Sequence, residues 1–234
     1  MFGKIIAIHQ LEFLPWLGFF FKIMHSDIFV LYDLAQYNKQ DFQNRNYIKL
    51  GNNVNSITVP IKHHPTFTLM RDISIVENLN WAYKIKNQLT TWYHSSPHFH
   101  CIMKLLEPIW MEKWSRLMDL NNLLIKRICS YLNINTTICL SSVVVKNLHV
   151  FSKLNTNDKN LQLCLSLNAT TYLTGNGGKN YIEPSRFFEH NINILSYRLY
   201  NKENFYPSII HYLFNYGLET YSFIKSFGEL QEYL

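Results

Sequence analysis

The sequence predicts a Rossmann-like α/β fold, in which a mostly parallel sheet is flanked by helices and a helical lobe is inserted in the middle of the chain. Three observations predict it: a strand–helix–strand pattern at the start, three amphipathic helices in the middle, and a return of alternating strands and helices afterwards. We expect a single α/β domain over residues 1–234, with the helical insertion at about residues 80–132.

The opening segment is typical of a βαβ unit. Lys4–His9 is a short run of β-branched and apolar residues, which indicates a buried strand. Pro15 suits the first turn of a helix, where its missing N–H is tolerated, and Trp16–Met24 continues as an apolar helix. Ile28–Leu31 is a second buried strand. Because such a crossover joins parallel strands, this order predicts a parallel sheet.

The next region predicts a hairpin, a short strand and the helical lobe. Tyr47–Leu50 and Ser56–Val59 flank a turn of Gly and Asn residues, which is typical of a hairpin. Ile73–Val76 is apolar and predicts one more short strand. Apolar residues then recur at helical spacing in three segments: Asn80–His94, Pro97–Ile109 and Leu117–Leu132.

The alternation of strands and helices returns in the last third of the chain. Two segments are predicted to be helices, Asn157–Leu167 and Pro184–Glu189. Three are predicted to be strands, Thr136–Leu140, Thr170–Thr174 and Asn193–Tyr200, the last of which closes the fold. A glycine-rich loop begins at Gly175, directly after the second of these strands.

The chain is basic, with 22 Lys and Arg against 16 Asp and Glu, a net charge of +6 and a pI near 9.0. These cations are scattered, so a solvated surface explains them, although a substrate that carries phosphate would suit the same charge. A nucleic-acid-binding protein would show a contiguous basic stripe with exposed aromatic residues. We therefore expect a small-molecule substrate and no nucleic-acid partner.

The cysteine, histidine and hydropathy patterns argue against a disulfide-bonded, a metal-binding and a membrane-spanning protein. The four cysteines include no C-x-x-C pair and indicate reduced thiols, and the ten histidines lack the pattern of a metal site, so we predict none. The apolar run Phe13–Phe21 is shorter than the ~18–20 residues of a membrane span and is ended by Lys22. With no secretory leader visible, we predict a cytoplasmic protein without membrane insertion and leave its oligomeric state open.

Polar residues follow several of the predicted strands. Open parallel sheets bind ligands beyond the carboxyl ends of their strands, so these residues predict one shared cleft. They are His9, Gln10, Asp33, Gln36, Ser142 and Gly175. His9 precedes a helix N-terminus and is a candidate general base or phosphate donor. The alternative is a half-buried histidine that caps the strand.

The segment Gln36–Asn46 is dense in side-chain amides and cations. Amides carry both a donor and an acceptor that can orient a ligand, and Arg45 can hold a carboxylate or phosphate through two hydrogen bonds. We therefore predict that Lys39, Asn44, Arg45 and Asn46 belong to the site. The alternative is a solvated rim of the hairpin.

The glycine-rich loop is the third candidate element. Gly175, Gly177 and Gly178 would allow a ligand to approach the backbone closely, Lys179 would reach an anion, and Tyr181 would line the site. The spacing of its Gly and Lys is not that of a Walker A loop. An ordinary turn is the alternative.

The same residues carry a resemblance to the WbqC-like family. The similarity runs nearly end to end and is most specific at the N-terminus. It lies in Ile8–Gly18, Asp27–Asp33, Phe42–Asn46, Thr58–Pro60, Asp119–Asn121 and Ala169–Tyr181. The family is found among surface-polysaccharide (O-antigen, lipopolysaccharide) gene clusters. The resemblance implies a transferase that places glycine or another acyl group on an amino sugar.

The chain departs from the family pattern in three places. Leu11 stands where the family usually has Pro, and His211 stands where it has Asp, three residues after Ser208. The segment between Tyr200 and Tyr206 is also short. Loss of the Asp would change the substrate or weaken the activity.

A second similarity points to a different reaction. A strand, a His and a Pro-x-x-Gly before a helix resemble the opening of the nucleotidyltransferase and pantothenate-synthetase superfamily. A pair of histidines binds the phosphates of ATP in that superfamily. Here Phe19 follows Gly18 where the second His would be.

The preferred hypothesis is an acyl- or aminoacyltransferase (glycine transferase) acting on a nucleotide-linked amino sugar. His9 or Asp33 would remove a proton from the sugar amine, and the orienting groups would be Asn44 and Asn46. The anion-binding groups would be Arg45, Lys39 and Lys179. ATP or an activated acyl donor would be the co-substrate. Two alternatives stay open: a non-catalytic ligand-binding or scaffold subunit of a polysaccharide assembly complex, and an ATP-using adenylate-forming ligase or nucleotidyltransferase-like enzyme.

Overall fold

The computed structural model describes residues 3–78, 80–175, 178, 182–200 and 206–233. Within these residues the strands are β1 (Ile5–His9), β2 (Ile28–Leu31), β3 (Arg45–Leu50), β4 (Asn53–Thr58), β5 (Thr137–Leu140), β6 (Thr171–Leu173), β7 (Asn193–Leu199) and β8 (Gly228–Glu232). The α-helices are α1 (Leu17–Met24), α2 (Asn80–Tyr93), α3 (Phe99–Leu105), α4 (Pro108–Met111), α5 (Leu117–Tyr131), α6 (Ser141–Val144), α7 (Leu148–Ser152), α8 (Thr156–Ser166), α9 (Pro184–Phe188), α10 (Ile209–Tyr216) and α11 (Thr220–Lys225). Two 3₁₀ turns cover Met70–Asp72 and Gly217–Glu219.

Six strands form a mostly parallel sheet in the order β5-β2-β1-β6-β7-β8. Within this sheet, β7 and β8 pair antiparallel, and the other pairings of its described strands are parallel. The chain builds the sheet outward from β1, first towards β5 and then towards β8. The direction of growth therefore reverses between β1 and β6. In open α/β sheets, a crevice that can hold a ligand lies beyond the strand ends at such a reversal.

β1 is buried on both faces, and this explains its continuous apolar sequence. Ala7 belongs to a large hydrophobic cluster that includes residues of α1, α2, α5 and α10. Ile6 and Ile8 belong to a second cluster, which includes residues of α7, α8 and α9. Helices thus cover both sides of the sheet, as the sequence predicted.

The helices between β4 and β5 pack on the same core as the sheet. Buried residues of α2, α3, α4 and α5 join Ala7 and Leu173 of the sheet in one cluster. These helices lie in the segment where the helical lobe was expected, and their apolar faces complete the core of the sheet.

A separate two-stranded hairpin, β3 and β4, supports the loop between β1 and α1. Leu14 in this loop has φ 47°, a left-handed conformation that is uncommon outside glycine. The Asn46 side chain donates to the carbonyl oxygens of Phe13 and Leu14, at 3.1 and 2.9 Å. The backbone N–H of Phe13 also donates to the carbonyl of Phe42, at 2.9 Å. The hairpin therefore fixes the loop that follows β1.

Three parts of the predicted secondary structure are wrong. The predicted helix Pro97–Ile109 is two helices, because Pro108 lacks an N–H and clashes with the preceding turn, so it starts α4 instead of continuing α3. Ile73–Val76 is not a strand: Ile75 and Ser74 make only isolated bridges, to Ile61 and Arg116. Asn193–Tyr200 is a strand as expected, β7 (Asn193–Leu199), but it does not close the fold.

The C-terminal segment continues past β7. It adds α10, α11 and β8, and β8 pairs with β7 at the edge of the sheet. No helix in the described part of the chain combines the length and the apolar character that crossing a membrane requires.

Candidate functional site

Two adjoining hollows lie at the carboxyl ends of the central strands. The smaller hollow, of about 380 Å³, is formed where β1 and β6 end, at the reversal point of the sheet. The larger hollow, of about 760 Å³, lies beside it, between the segment after β2 and the loop that precedes Met70. Gln10 and Asp41 line both hollows, so the two share a wall.

Lys22 is a buried cation in the smaller hollow. It lies on α1, an otherwise apolar helix, and is only 2% exposed. Its ammonium donates to the carbonyl oxygen of Ile8 at 2.9 Å and lies 6.0 Å from the ring centre of Phe29. Burial lowers the pKa of Lys22 to about 7, and the negative charge of Glu12 opposes that shift.

Glu12 is a buried acid in the same hollow. It is 8% exposed, and its Oε2 atom has no hydrogen-bond partner among the described residues. The pKa of Glu12 is raised to about 8, mainly by burial and then by the charge of Asp41, while the charge of Lys22 opposes the shift. Glu12 and Lys22 therefore both titrate near neutral pH, from opposite directions.

His9 completes this group at the end of β1. Its Nδ1 atom lies 3.0 Å from the carbonyl oxygen of Gln10; since a carbonyl can only accept, Nδ1 carries the hydrogen and Nε2 is the basic nitrogen. Phe19 packs edge-on against the ring, and Glu12 Oε1 lies 3.8 Å from Nδ1. Burial, then the charge of Lys22, lower the pKa of His9 to about 3. The imidazole is thus neutral at physiological pH.

Together, Glu12, Lys22 and His9 can move protons in a largely dry site. An acid–base group works best when its pKa lies near the working pH, and Glu12 and Lys22 meet that condition. Because their charges interact, the two groups titrate as a pair and neither has an independent pKa. The hollow is also lined by Tyr32, Phe42, Gln43, Thr156, Asn160 and Tyr172, which can orient a small polar ligand.

The structure describes part of the glycine-rich loop, and that part forms a wall of the smaller hollow. Gly175 and Gly178 both line it. Lys22 Nζ would lie 4.0 Å from a Cβ atom at Gly175, so this position faces the buried cation. A Cβ atom at Gly178 would collide with the Thr174 side chain, which explains why glycine is required there. The predicted site residues Gly177, Lys179 and Tyr181 lie outside the described residues.

Gln10, Gln36 and Lys39, three further residues of the predicted site, also line the hollows. Gln10 accepts a hydrogen bond from Gln43 at 2.6 Å, at the wall between the two hollows. Gln36 and Lys39 line the larger hollow. Gln36 donates to the carbonyl of Thr66 at 2.8 Å and so holds the opposite wall.

Asp33 and Ser142 lie together, but in neither hollow. Asp33 is fully buried, and its Oδ1 atom accepts hydrogen bonds from the Ser141 hydroxyl at 2.7 Å and the Ser142 N–H at 2.9 Å. These contacts join the end of β2 to the start of α6. The polar residues that were expected to share one cleft therefore form two groups. His9 and Gly175 lie together at the ends of β1 and β6, whereas Asp33 and Ser142 lie together at the ends of β2 and β5.

Asn44, Arg45 and Asn46 lie on the hairpin side, and neither hollow includes them. Asn44 accepts from the Tyr37 hydroxyl at 2.9 Å and donates to the Val59 carbonyl at 2.9 Å. Asn46 supports the loop after β1, as described above. Both amides hydrogen-bond to the protein through their oxygen and their nitrogen. Arg45 begins β3, and its Nε atom is buried without a hydrogen-bond partner in the described part of the chain.

The sequence interpretation missed Glu12, Lys22 and Asp41. Lys22 had been noted only as the end of an apolar run. The available signal was its position: a lysine on the buried face of an amphipathic helix needs a partner or a function. Glu12 lies in the motif next to His9 and carried the same signal.

Leu11 and His211, two of the three departures from the family pattern, lie away from the hollows, whereas the segment between Tyr200 and Tyr206 falls outside the described residues. His211 is on α10, where its Nδ1 atom lies 3.0 Å from the Tyr93 hydroxyl. Leu11 is fully buried in the main core. Neither residue lines a hollow. Among the described residues, no group of three or more His, Cys, Asp or Glu side chains is arranged to hold a metal ion.

Comparison with known proteins shows which protein family the chain is related to. A family model for the WbqC-like protein family matches residues 10–222. The chain therefore belongs to the WbqC-like family. Uncharacterized protein Rv1507c of Mycobacterium tuberculosis (strain ATCC 25618 / H37Rv) is 31% identical over 233 residues, which cover 95% of this chain and 98% of that protein. No solved structure matches the chain significantly. In this WbqC-like protein, the matched region includes Gln10, Glu12 and Lys22 together with the glycine-rich loop.

Proposed function

We propose that this WbqC-like protein is a transferase that joins glycine or another acyl group to the amine of a nucleotide-linked amino sugar, in the synthesis of a surface polysaccharide such as O-antigen. Membership of the family supports the context. The buried pair Glu12 and Lys22 in the smaller hollow supports the chemistry, and it is the observation that carries the proposal.

The reaction needs three proton transfers, two from the amine and one to the leaving group, and the smaller hollow holds groups that suit them. An amino sugar arrives as an ammonium, and the Glu12 carboxylate removes a proton to leave a nucleophilic amine. The nitrogen then attacks the acyl carbon, a C–N bond forms, and the bond to the leaving group breaks. Lys22 or protonated Glu12 supplies a proton to the leaving group, and the second amine proton passes to the pair. A charged Lys22 would also stabilise the oxyanion that forms at the acyl oxygen.

Two carboxylates in the hollow favour an amine as its ligand. Glu12 and Asp41 both line it, and Glu12 Oε2 lacks a hydrogen-bond donor among the described residues. An ammonium group would supply that donor through a charge-assisted hydrogen bond. His9, neutral at physiological pH and with Nε2 as its basic nitrogen, would accept a hydrogen bond from a hydroxyl of the same sugar.

The topology of the sheet supports a Rossmann-like use of the fold. Counted along the chain, the six strands of the sheet lie in the order 3-2-1-4-5-6, which is the order of doubly wound sheets that bind nucleotides at the reversal point. The smaller hollow lies at that point. We also propose that the chain is one domain, because a single hydrophobic cluster joins the sheet to α2, α3, α4 and α5.

Mass spectrometry of reaction products tests the proposal. The full chain is incubated with nucleotide-linked amino sugars and either an activated acyl donor or glycine with ATP, and a mass increase that matches N-acylation is the expected product. Glu12→Gln and Lys22→Met should lower turnover at least about 100-fold, the usual effect of removing an acid–base group. The matched controls are Glu112→Gln and Lys113→Met, which alter two exposed residues outside both hollows.

Two results would contradict the proposal. Full turnover in Glu12→Gln and Lys22→Met would place the chemistry elsewhere. Binding of the amino sugar, seen as a thermal shift, with no product from any donor would support the ligand-binding or scaffold subunit instead. A product that appears only with ATP, together with release of AMP and pyrophosphate, would indicate the adenylate-forming alternative.

A further inference from the structure

The two hollows differ in charge although they share a wall. The smaller hollow is lined by the carboxylates of Glu12 and Asp41 and by the buried Lys22. The larger hollow is lined by two lysines and two histidines, and its one carboxylate among the described residues is Asp41, at the shared wall. The smaller hollow therefore suits a cation, and the larger hollow suits an anion.

Lys39 is the cation that is available to a ligand in the larger hollow. It is exposed and makes no ion pair or hydrogen bond with any other described residue. Lys62, on the opposite side, pairs with Glu77, and this contact lowers the pKa of Glu77. Because Glu77 already neutralises Lys62, Lys39 carries most of the free positive charge.

The loop that carries His63 and His64 forms one wall of the larger hollow, and contacts within the protein hold it in place. The ring of His64 packs edge-on against Tyr37, with centroids 5.0 Å apart, and its Nδ1 atom donates to the Pro65 carbonyl at 3.0 Å. The hydrogen bond from Gln36 to Thr66 ties the same loop to the segment after β2. A wall that is already ordered loses little entropy when a ligand binds.

We propose that the larger hollow binds the phosphate or diphosphate group of the substrate, with Lys39 and His63 as its donors, while the amine of the same substrate lies in the smaller hollow. This inference rests on the proposed function, because it divides one substrate between two sites. Gln10 and Asp41 lie where the parts of that substrate would meet. The volume of about 760 Å³ is within the range of about 300–1,000 Å³ typical of small-molecule sites.

Calorimetric titration of the full chain with inorganic pyrophosphate and with uridine diphosphate tests the inference without any turnover. In the double variant Lys39→Ala/His63→Ala both probes should bind roughly tenfold more weakly or worse, since charge-assisted bonds are lost. Lys49→Ala is the matched control: it removes the same charge from an exposed position on β3 outside both hollows, and its affinity should equal that of the wild type. Lys22→Met should also bind pyrophosphate as the wild type does.

Three results would overturn the inference: no binding of either probe to the wild type, unchanged affinity in Lys39→Ala/His63→Ala, or loss of pyrophosphate binding in Lys22→Met. The last result would place the phosphate in the smaller hollow. These results are independent of the transfer assay. If Glu12→Gln abolishes transfer while the affinity for pyrophosphate is unchanged in Lys39→Ala/His63→Ala, this inference fails and the proposed transferase function stands. If pyrophosphate needs Lys39 and His63 but no donor gives a product, the anion site stands and the transferase fails.

Discussion

The Ser208 hydroxyl donates to the carbonyl oxygen of Leu14 at 2.6 Å, and this bond joins residues 194 positions apart in the chain. Asn46 donates to the same carbonyl from the hairpin. Two distant segments thus hold Leu14 in its left-handed conformation, and Leu14 lies two residues after Glu12. The position of the buried acid therefore depends on two side chains that line neither hollow.

Asn46→Ala is expected to destabilise the protein by about 1–3 kcal/mol, because it leaves the buried carbonyl of Phe13 without its side-chain donor and removes one of the two donors to the carbonyl of Leu14. The free energy of unfolding is measured by urea denaturation. Asn52→Ala, in the exposed turn of the same hairpin, should change it by less than about 0.5 kcal/mol. Equal effects of the two substitutions would show that Asn46 does not support the loop.

His9 should make the protein sensitive to acid. Its pKa is lowered from 6.5 to about 3 in the folded state, so the unfolded chain binds an extra proton between these values and stability falls as the pH falls through that window. One such proton corresponds to a slope of up to about 1.4 kcal/mol per pH unit. His9→Gln should flatten the pH dependence of unfolding in that window, measured by denaturation at several pH values. The exposed His149→Gln should leave it as it is, and an unchanged slope in His9→Gln would contradict the expectation.

The rate of transfer should rise with pH through about 7 to 8. Glu12 must be ionised to accept a proton, and its pKa is raised to about 8 while that of Lys22 is lowered to about 7. The measured midpoint belongs to the pair. A pH profile of kcat/KM reports it, and Glu12→Gln should lose the rise. A profile that stays flat through this range in the wild type would remove the pair from the mechanism.

Gly178→Ala should destabilise the glycine-rich loop, because the added methyl group collides with the Thr174 side chain. Overpacking of this kind costs about 1–3 kcal/mol. Thr174→Ala removes the hydroxyl in the collision, so the double variant should recover part of the loss. Thermal denaturation of the four proteins in a double-mutant cycle gives the coupling. Simple additivity would show that the two side chains do not compete for space.

Asp33→Asn separates a structural role from a catalytic one. The asparagine keeps an oxygen that can accept from Ser141 and Ser142, so stability and turnover should stay close to the wild type. Asp33→Ala leaves both donors without that acceptor and should cost about 1–3 kcal/mol. If Asp33→Asn folds normally but loses turnover, Asp33 acts as the base that the sequence first indicated.

Patterns local to a few residues were sufficient for much of the fold. The β1–α1–β2 unit, the hairpin, α2 and α5 follow from apolar periodicity and from Gly, Asn and Pro at the turns. β8 could not be found in this way: its sequence, Gly-Glu-Leu-Gln-Glu, lies at a partly exposed edge and has no apolar run. It becomes a strand because β7 offers it an antiparallel partner.

The candidate site could be predicted only in part, since strand order decides which ends are neighbours. The sequence shows that polar groups follow β1, β2, β5 and β6. It does not show that β1 lies between β2 and β6 in the sheet. Because of that arrangement, His9 lies near Gly175, and Asp33 lies near Ser142. Lys22 escaped notice because, on α1, it resembles the end of an apolar run, and only the folded helix shows that it faces the hollow.

The central position of β1 has a consequence for synthesis on the ribosome. Ile6 can pair with Ile28 as soon as the short connection through α1 has been made, but Ile5 pairs with Thr171 only after the long segment between them has been made. Until then one edge of this apolar strand has no partner, and such edges invite association with other chains. The long-range pairing also predicts slow folding, with this edge of β1 left open until β6 docks.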